Sequence, residues 1–388
     1  MDGDLELRQP GRKQADLDTL IRETLAEASA DVAHSRTLPP AAYSSQAFFD
    51  LEVERVFKKD WLCVGHVSQV AKIGDYFTLE LFGEPLVVVR GPDRIRVLSR
   101  VCLHRWAPIV SGEGNAKIFS CPFHKWGYGL DGQLLGAPFM EQAAEFAPKE
   151  CRLPELRSEI VEPLGLIFVT FSDQIPSIGD RLQDLCERLE PVGMRDMVVV
   201  QTRVTENDYN WKILIETFME CYHHIGAHRE TLEPNFPARL SWCEAGKPGW
   251  SICHSPLREE IVHEAYMDDE KRPFSLYLVY PLMLMGSALD LEQNDRLNFM
   301  TITPVGPNRV ISKRHTLARP EAVGTPELEA ALQRQRERGA KVNAEDNAVN
   351  EMQQVGAASI FARTGRLSHL EGSVWHLAEY VRSRLAAN

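Results

Sequence analysis

The sequence predicts an α+β chain in which a small all-β domain precedes a larger mixed domain. Three observations carry this. From Tyr76 to about residue 170, short β-branched and aromatic runs alternate with Gly and Pro turns. After Pro191, strand-like runs mix with helical periods, the longest of them near the end of the chain. Cysteines and histidines fall into two groups instead of being scattered.

The elements follow in order. ADLDTLIRETLAEAS, from about Asp16, has a helical apolar period, and Pro39-Pro40 close that segment. Ser44–Trp61 reads as a helix or a pair of turns. Tyr76–Leu81 and Leu86–Arg90 read as strands joined through Phe82-Gly83-Glu84-Pro85, and Gly91-Pro92-Asp93 leads into a strand over Ile95–Ser99. Further on, Met197–Val204 is strand-like and Trp211–His224 helical, with Gly226 as a stop signal. Strands are expected over 274–286, 298–304 and 310–317. Thr325-Pro326-Glu327 supplies an N-cap, a first-turn proline and a first-turn acid for a helix running past residue 350. A final amphipathic helix covers 372–385.

Composition narrows the function classes. The 388 residues are 44% hydrophobic and 25% charged, which excludes collagen-like and wholly disordered chains. With 43 basic and 55 acidic side chains the net charge is −12, and a nucleic-acid groove needs a dense basic footprint instead. Eight cysteines are too few for a disulfide scaffold. The start has no apolar core, and the longest uncharged run, Pro273–Leu289, holds only 17 residues. These features predict a soluble, cytoplasmic protein with no nucleic-acid or membrane partner.

The first cysteine–histidine group is Cys102-Leu103-His104, then 16 residues, then Cys121-Pro122-Phe123-His124. Each half sets a thiolate beside an imidazole on a tight turn. Two chemistries suit four such donors: a structural zinc, or a [2Fe–2S] cluster with thiolates on one iron and imidazoles on the other. The strand-rich setting differs from that of a zinc finger.

The second group is Glu220-Cys221-Tyr222-His223-His224-Ile225-Gly226-Ala227-His228. Glu220 and His223 share a face of a helix. His223 and His228 are five apart, about 140° on an ideal helix, so a shared metal requires the helix to end between them. His224 reads as a helix-end polar residue and Cys221 as a packed one. Two histidines with one carboxylate and open positions suit an oxygen-activating ferrous ion. The acids available for the third place are Glu206, Asp208, Asp290, Asp295, Glu345 and Asp346.

Together the flanks VCLHRWAP and CPFHKWGYGLDG and the later E-x-x-H-x4-H resemble the α subunits of Rieske non-haem iron oxygenases. AEDNAVNEMQQVGAAS resembles the family's downstream ligand segment. GDYFTLELFGEPLVVVR resembles the family's lead-in to the cluster, and GRLSHLEGSVWHLAEYVRSRL the C-terminal helix of one branch. The resemblance implies that Cys102 and Cys121 ligate one iron of the cluster and His104 and His124 the other. Trp106 and Trp126 would shield them. It selects Asp346 as the carboxylate beside His223 and His228, with Glu345 turned away into solvent. Thr217 stands where many members have Asn, so that residue's role does not carry over. Glu220 stands where many have Asp, a variation that resembles the branch that includes carnitine and choline monooxygenases.

The implied architecture is an N-terminal helical segment (1–43) packed on the catalytic domain, a Rieske domain (44–165), and a helix-grip, START-like catalytic domain (166–388) with an antiparallel sheet around a long helix. The implied activity is monooxygenation of a small N-alkyl or aromatic compound, by dealkylation or hydroxylation, with O2 as co-substrate. Arene cis-dihydroxylation and a zinc-stabilised binding protein are the alternatives. Without a dinucleotide or flavin motif, NAD(P)H must be oxidised on another protein, with a ferredoxin and/or flavin reductase as the electron donor. In a head-to-tail homotrimer, Glu220 would bridge an iron histidine and a neighbour's cluster histidine. Arg105 and Lys125 would offer a docking spot for an acidic carrier. Trp242, Trp250, Tyr277 and Tyr280 could supply an aromatic substrate wall but read more readily as core residues, and Leu282, Leu284 and Met285 would suit an apolar substrate.

Overall fold

The computed structural model describes residues 16–244, 246–258, 274–288 and 296–387. The first ten strands are β1 (Leu62–His66), β2 (Asp75–Leu81), β3 (Glu84–Arg90), β4 (Ile95–Ser99), β5 (Glu113–Asn115), β6 (Phe119–Ser120), β7 (Gly127–Tyr128), β8 (Leu134–Gly136), β9 (Glu155–Val161) and β10 (Leu166–Thr170). Seven form one sheet in the order β1-β10-β9-β4-β3-β2-β5, and β6-β7-β8 form a small second sheet. The β2–β3 hairpin turns on Phe82 and Gly83, at φ 51° and 84°, the left-handed pair that matches strand twist. Because β10 pairs along β1 and β9, this sheet runs five residues past the expected boundary at 165.

The second large sheet is antiparallel throughout. Its strands are β11 (Val198–Asn207), β12 (Trp242–Cys243), β13 (Trp250–Ser255), β14 (Phe274–Val279), β15 (Met283–Ala288), β16 (Arg296–Gly306) and β17 (Arg309–Ala318). Their order is β11-β17-β16-β15-β14-β13-β12. The single strand expected over 274–286 is a hairpin, broken at Tyr280-Pro281-Leu282 because proline cannot continue a ladder.

The helices are α1 (Leu17–Ala26), α2 (Gln46–Glu52), α3 (Ile178–Arg181), α4 (Gln183–Leu189), α5 (Trp211–Phe218), α6 (Pro326–Ala357) and α7 (Gly372–Ala386). Ser45 caps α2, and a widened turn closed by Lys58 N–H on Val53 O continues it. Buried Glu52 accepts from Lys212 Nζ at 2.6 Å and from Trp211 Nε1 at 3.0 Å, tying α2 to the start of α5. Arg382 on α7 donates to the Thr24 carbonyl at 2.9 Å, fixing α1.

Helix α6 has 32 residues, roughly 48 Å at 1.5 Å per residue. Thr325 caps it as the sequence predicts, accepting from Leu328 N–H at 3.3 Å. Its buried apolar residues, Leu328, Ala331 and Leu332, lie near its start, with Val342 and Ala357 packed partly buried farther along. Its far end is held by polar side chains. Asn350 accepts from Thr217 Oγ1 at 2.6 Å. Gln354 accepts from Asn210 N–H at 2.8 Å and donates to the Tyr43 carbonyl at 3.1 Å. Asn347 accepts from Tyr209 OH at 2.8 Å. These bonds set the rotation of α6 against α5.

Candidate metal centres

The two cysteine–histidine loops have the same internal geometry. Cys102 N–H donates to Ala107 O and Cys121 N–H to Trp126 O, residues five further on. The carbonyl of each cysteine accepts from the residue four further on, Trp106 or Lys125. Those two residues sit at φ 63° and 59°, so each loop turns back sharply enough to aim its cysteine and histidine the same way. Both cysteines are buried, His104 is half-buried and His124 is exposed. The two imidazoles meet edge-on with ring centroids 4.7 Å apart.

This donor set fits a binuclear cluster. His104 Nδ1 is buried yet has no hydrogen-bond partner, a vacancy that a metal bond would fill. Burial opposes a thiolate at Cys102, but the Tyr128 hydroxyl 3.3 Å from its sulfur and the loop amides hold its pKa below the ordinary thiol value. Tyr128, which also accepts from Leu103 N–H at 3.0 Å, is a functional candidate that the sequence reading passed over. Trp126 is buried and stacked on His104 at 4.8 Å. Trp106, expected to shield the cluster, is instead 78% exposed, because its left-handed backbone throws the side chain outward.

At the second centre, α5 stops at Phe218, six residues before the expected end. Met219 N–H closes the helix on Ile215 O, and a separate short turn spans Tyr222–Ile225. Glu220 holds that turn, since its Oε2 accepts from His223 N–H at 3.0 Å. Gly226 has φ −109°, so it contributes no left-handed stop. Ending the helix early is what brings His223 and His228 together, with ring centroids 4.9 Å apart.

Donor atoms of His223, His228 and Asp346 all lie within 4.8 Å of one another. Asp346 Oδ1 is 2.8 Å from His228 Nε2 and 3.5 Å from His223 Nε2. The opposite nitrogens are held by two further carboxylates. His223 Nδ1–H donates to Glu220 Oε1 at 2.7 Å, and His228 Nδ1–H to Glu345 Oε2 at 2.8 Å. With one proton fixed at Nδ1, both rings aim Nε2 at Asp346, and loss of the Nε2 proton leaves the lone pair that a metal needs. Burial disfavours charge on His223, but Asp346 and Glu220 outweigh it and raise its pKa to about 10. Burial likewise opposes ionisation of Asp346, yet the two imidazoles bring its pKa down to about 2. A carboxylate held ionised chiefly by two imidazoles is a place a divalent cation can occupy, so the residues fit the ion.

Several expectations need correction. Glu345 is not a solvated residue: it orients His228 and accepts from Thr231 Oγ1 at 2.5 Å. Being adjacent to Asp346, it reaches the far side of the same ring. His224 is buried, engages the Phe236 carbonyl through Nδ1 at 3.0 Å, and has its pKa lowered to about 4 by burial. Of the other acids, Glu206 pairs with Arg309, and Asp208 is exposed. Asp290 and Asp295 lie outside the described residues.

A cavity of about 420 Å³ opens beside Asp346, His223 and His228. Its walls include Leu284 and Met285, as expected, together with Phe236, Phe274 and Phe299. Trp242, Trp250, Tyr277 and Tyr280 do not line it, in keeping with the favoured core reading of Trp250, Tyr277 and Tyr280. Trp250 and Tyr277 are core residues, Tyr280 stacks on Tyr380 at 4.5 Å, and Trp242 stacks on His254 at 4.5 Å. Leu282 is also in the core.

Residues 194–387 match the family model for the ring hydroxylating alpha subunit catalytic domain. The chain belongs to this family. Residues 60–148 of this ring hydroxylating alpha subunit match the Rieske [2Fe-2S] domain, the segment that holds both cysteine–histidine loops. The oxygenase subunit of carnitine monooxygenase from Escherichia coli (strain K12) is 36% identical over 201 residues, covering 50% of this chain and 52% of that protein. The oxygenase subunit of glycine betaine monooxygenase from Pseudomonas aeruginosa (strain UCBPP-PA14) is 34% identical over 233 residues, 58% of this chain and 52% of that protein. The chain thus spans about half the length of the curated relatives it matches. Among solved structures, a quaternary ammonium Rieske monooxygenase, described for carnitine oxidation and inter-subunit electron transfer, superposes with a TM-score of 0.78. It is 24% identical, over 90% of this chain and 95% of that one, which establishes the shared fold. No helix among the described residues is long and apolar enough to cross a membrane.

Proposed function

We propose that this chain is the terminal oxygenase of a reductase-dependent system that monooxygenates a small amine or quaternary ammonium compound, by hydroxylation or oxidative dealkylation. The observation that carries this is the arrangement around Asp346: two Nε2 atoms converge on one carboxylate oxygen while Glu220 and Glu345 hold both Nδ1 protons. His223, His228 and Asp346 would hold ferrous iron, and Cys102, Cys121, His104 and His124 a [2Fe–2S] cluster. When bound, the iron supplies O2 activation and the cluster supplies single electrons drawn from a ferredoxin or flavin reductase. The protein fixes both rings, keeps the carboxylate ionised, and surrounds the reacting end of the substrate with apolar side chains. The carnitine and glycine betaine relatives support the substrate class.

The same reading includes a head-to-tail ring of copies. The cluster loops expose Leu103, Trp106 and Phe123. The turn carrying His223 and the end of α6 expose Tyr222, Ile225, Met352 and Val355. Two apolar faces, one at each centre, suit an interface that joins the cluster of one copy to the iron of the next. Glu220 stands at that second face, already bound to His223 and with lone pairs left to accept from a neighbour's cluster histidine.

Purified protein is expected to be red-brown, with acid-labile sulfide and one further iron per chain. Given reductase, NAD(P)H and O2, it should convert a member of a trimethylammonium and N-alkylamine panel to an alcohol or an aldehyde. Colourless, zinc-loaded protein would overturn the reading, and a cis-diol as the only product would make the enzyme a dioxygenase.

A further inference from the structure

The cavity beside Asp346 is basic where its charge is not already used. Its two acids, Glu220 and Asp346, are both engaged by histidines. Four arginines line it: Arg296, Arg314, Arg334 and Arg338. Arg338 lies 5.9 Å over the Phe236 ring, and Arg296 has contacts of its own.

Arg314 is different. It projects from β17, beside Met300 on β16 and Arg203 on β11. It is partly buried on the cavity wall and makes no hydrogen bond or ion pair among the described residues. Burial pushes its pKa down and Arg203 adds to that, while only the field of Asp346 favours its charge. A guanidinium partly withdrawn from water, with no hydrogen-bonded partner among the described residues, carries a desolvation cost, and a sheet position has no need of it. Its planar fork matches one ligand chemistry especially well, a carboxylate that takes two parallel N–H bonds.

We propose that Arg314 anchors a carboxylate of the substrate, and that the substrate is a compact organic acid or zwitterion with its reacting group held toward Asp346. This rests on the functional reading above and narrows it. Simple diamines are then poor ligands, because the cavity offers them no unengaged acid. Arg334, on the facing side of α6 and also without an ion pair among the described residues, would add a second positive charge toward solvent.

The test is equilibrium binding by calorimetry to the purified holoprotein under anaerobic conditions. The probes are two matched pairs: 4-(trimethylammonio)butyrate with its methyl ester, and 3-phenylpropionate with its methyl ester. The acid should bind at least about tenfold more tightly than its ester in one or both pairs, the worth of a charge-assisted hydrogen bond. Arg314→Gln should abolish that preference, and Arg314→Lys should keep part of it, because the charge remains but the fork is lost. Thermal melts and iron and sulfide assays accompany each variant. Equal affinity of acid and ester in both pairs, or no binding of either acid, overturns the proposal even when iron and sulfide are both full. An Arg314→Gln protein that loses iron but keeps the acid preference overturns it too, making Arg314 a partner of Asp346. Wild-type protein lacking iron and sulfide would instead overturn the functional reading, while the acid-to-ester ratio would still decide the role of Arg314.

Discussion

The cluster loops and the iron cavity solve the same problem, holding several metal donors still, by opposite routes. Each loop is closed within six residues by two backbone bonds and one left-handed residue, so cysteine and histidine are aimed locally. The cavity site depends on sequence-distant pairing: 118 residues separate His228 from Asp346. What keeps those partners aligned is the run of hydrogen bonds that Asn347, Asn350 and Gln354 accept from Tyr209, Thr217 and Asn210. A locally closed site survives damage elsewhere; a site built across elements is only as exact as their docking.

The largest expected effect breaks the pair apart. Asp346→Ala should lose the mononuclear iron and all turnover while keeping the cluster's visible absorption, and Cys102→Ser should bleach the cluster but leave the second iron in place. Metal analysis and spectra of both variants decide this; loss of both centres in either one would refute their independence. Next comes Glu220→Gln, which keeps the shape but weakens the hold on His223 Nδ1–H and on the turn. Turnover should fall about 10- to 100-fold with iron nearly normal, and in a single turnover the pre-reduced cluster should reoxidise far more slowly. Glu345→Gln should have a milder effect, roughly tenfold in iron affinity by chelator competition, because Thr231 still helps to place the side chain. The smallest effect tests local closure. Lys125→Val, a β-branched residue at φ 59°, should cost roughly 1 kcal/mol, read as a lower melting temperature, whereas Lys125→Gly should leave it nearly unchanged.

The same contrast explains what could be read from the chain. Local closure writes itself into spacing, so both cysteine–histidine loops were legible, as were the N-cap at Thr325 and the hairpin at Gly83. His223 and His228 were legible as a pair, but the device that unites them was not. The early end of α5 depends on the Glu220 carboxylate binding a backbone N–H in the following turn. Spacing alone could not choose among six acids, and it gave Glu345 to solvent, since the position of His228 across α6 is a tertiary fact. One signal was available: Asp346, Asn350 and Gln354 recur every four residues, a polar stripe on a helix that has to be buried. Aromatic residues mark cores more often than pockets, and Trp250 and Tyr277 do fill the core, as favoured from the sequence.

Helix α6 carries Ala331, Arg334 and Arg338 at one end of the cavity and Asp346 at the other on a single uninterrupted rod. Inserting or deleting one residue between them would turn one end by about 100° against the other and shift it about 1.5 Å. Asp346 would then point away from the histidines, or the cavity wall would leave its place. Changes in loop length can reshape many enzymes without harm, but this stretch admits only exchange of one side chain for another. Diversification of substrate range along α6 must therefore proceed at fixed length, and libraries aimed at new substrates should vary its letters and never their number.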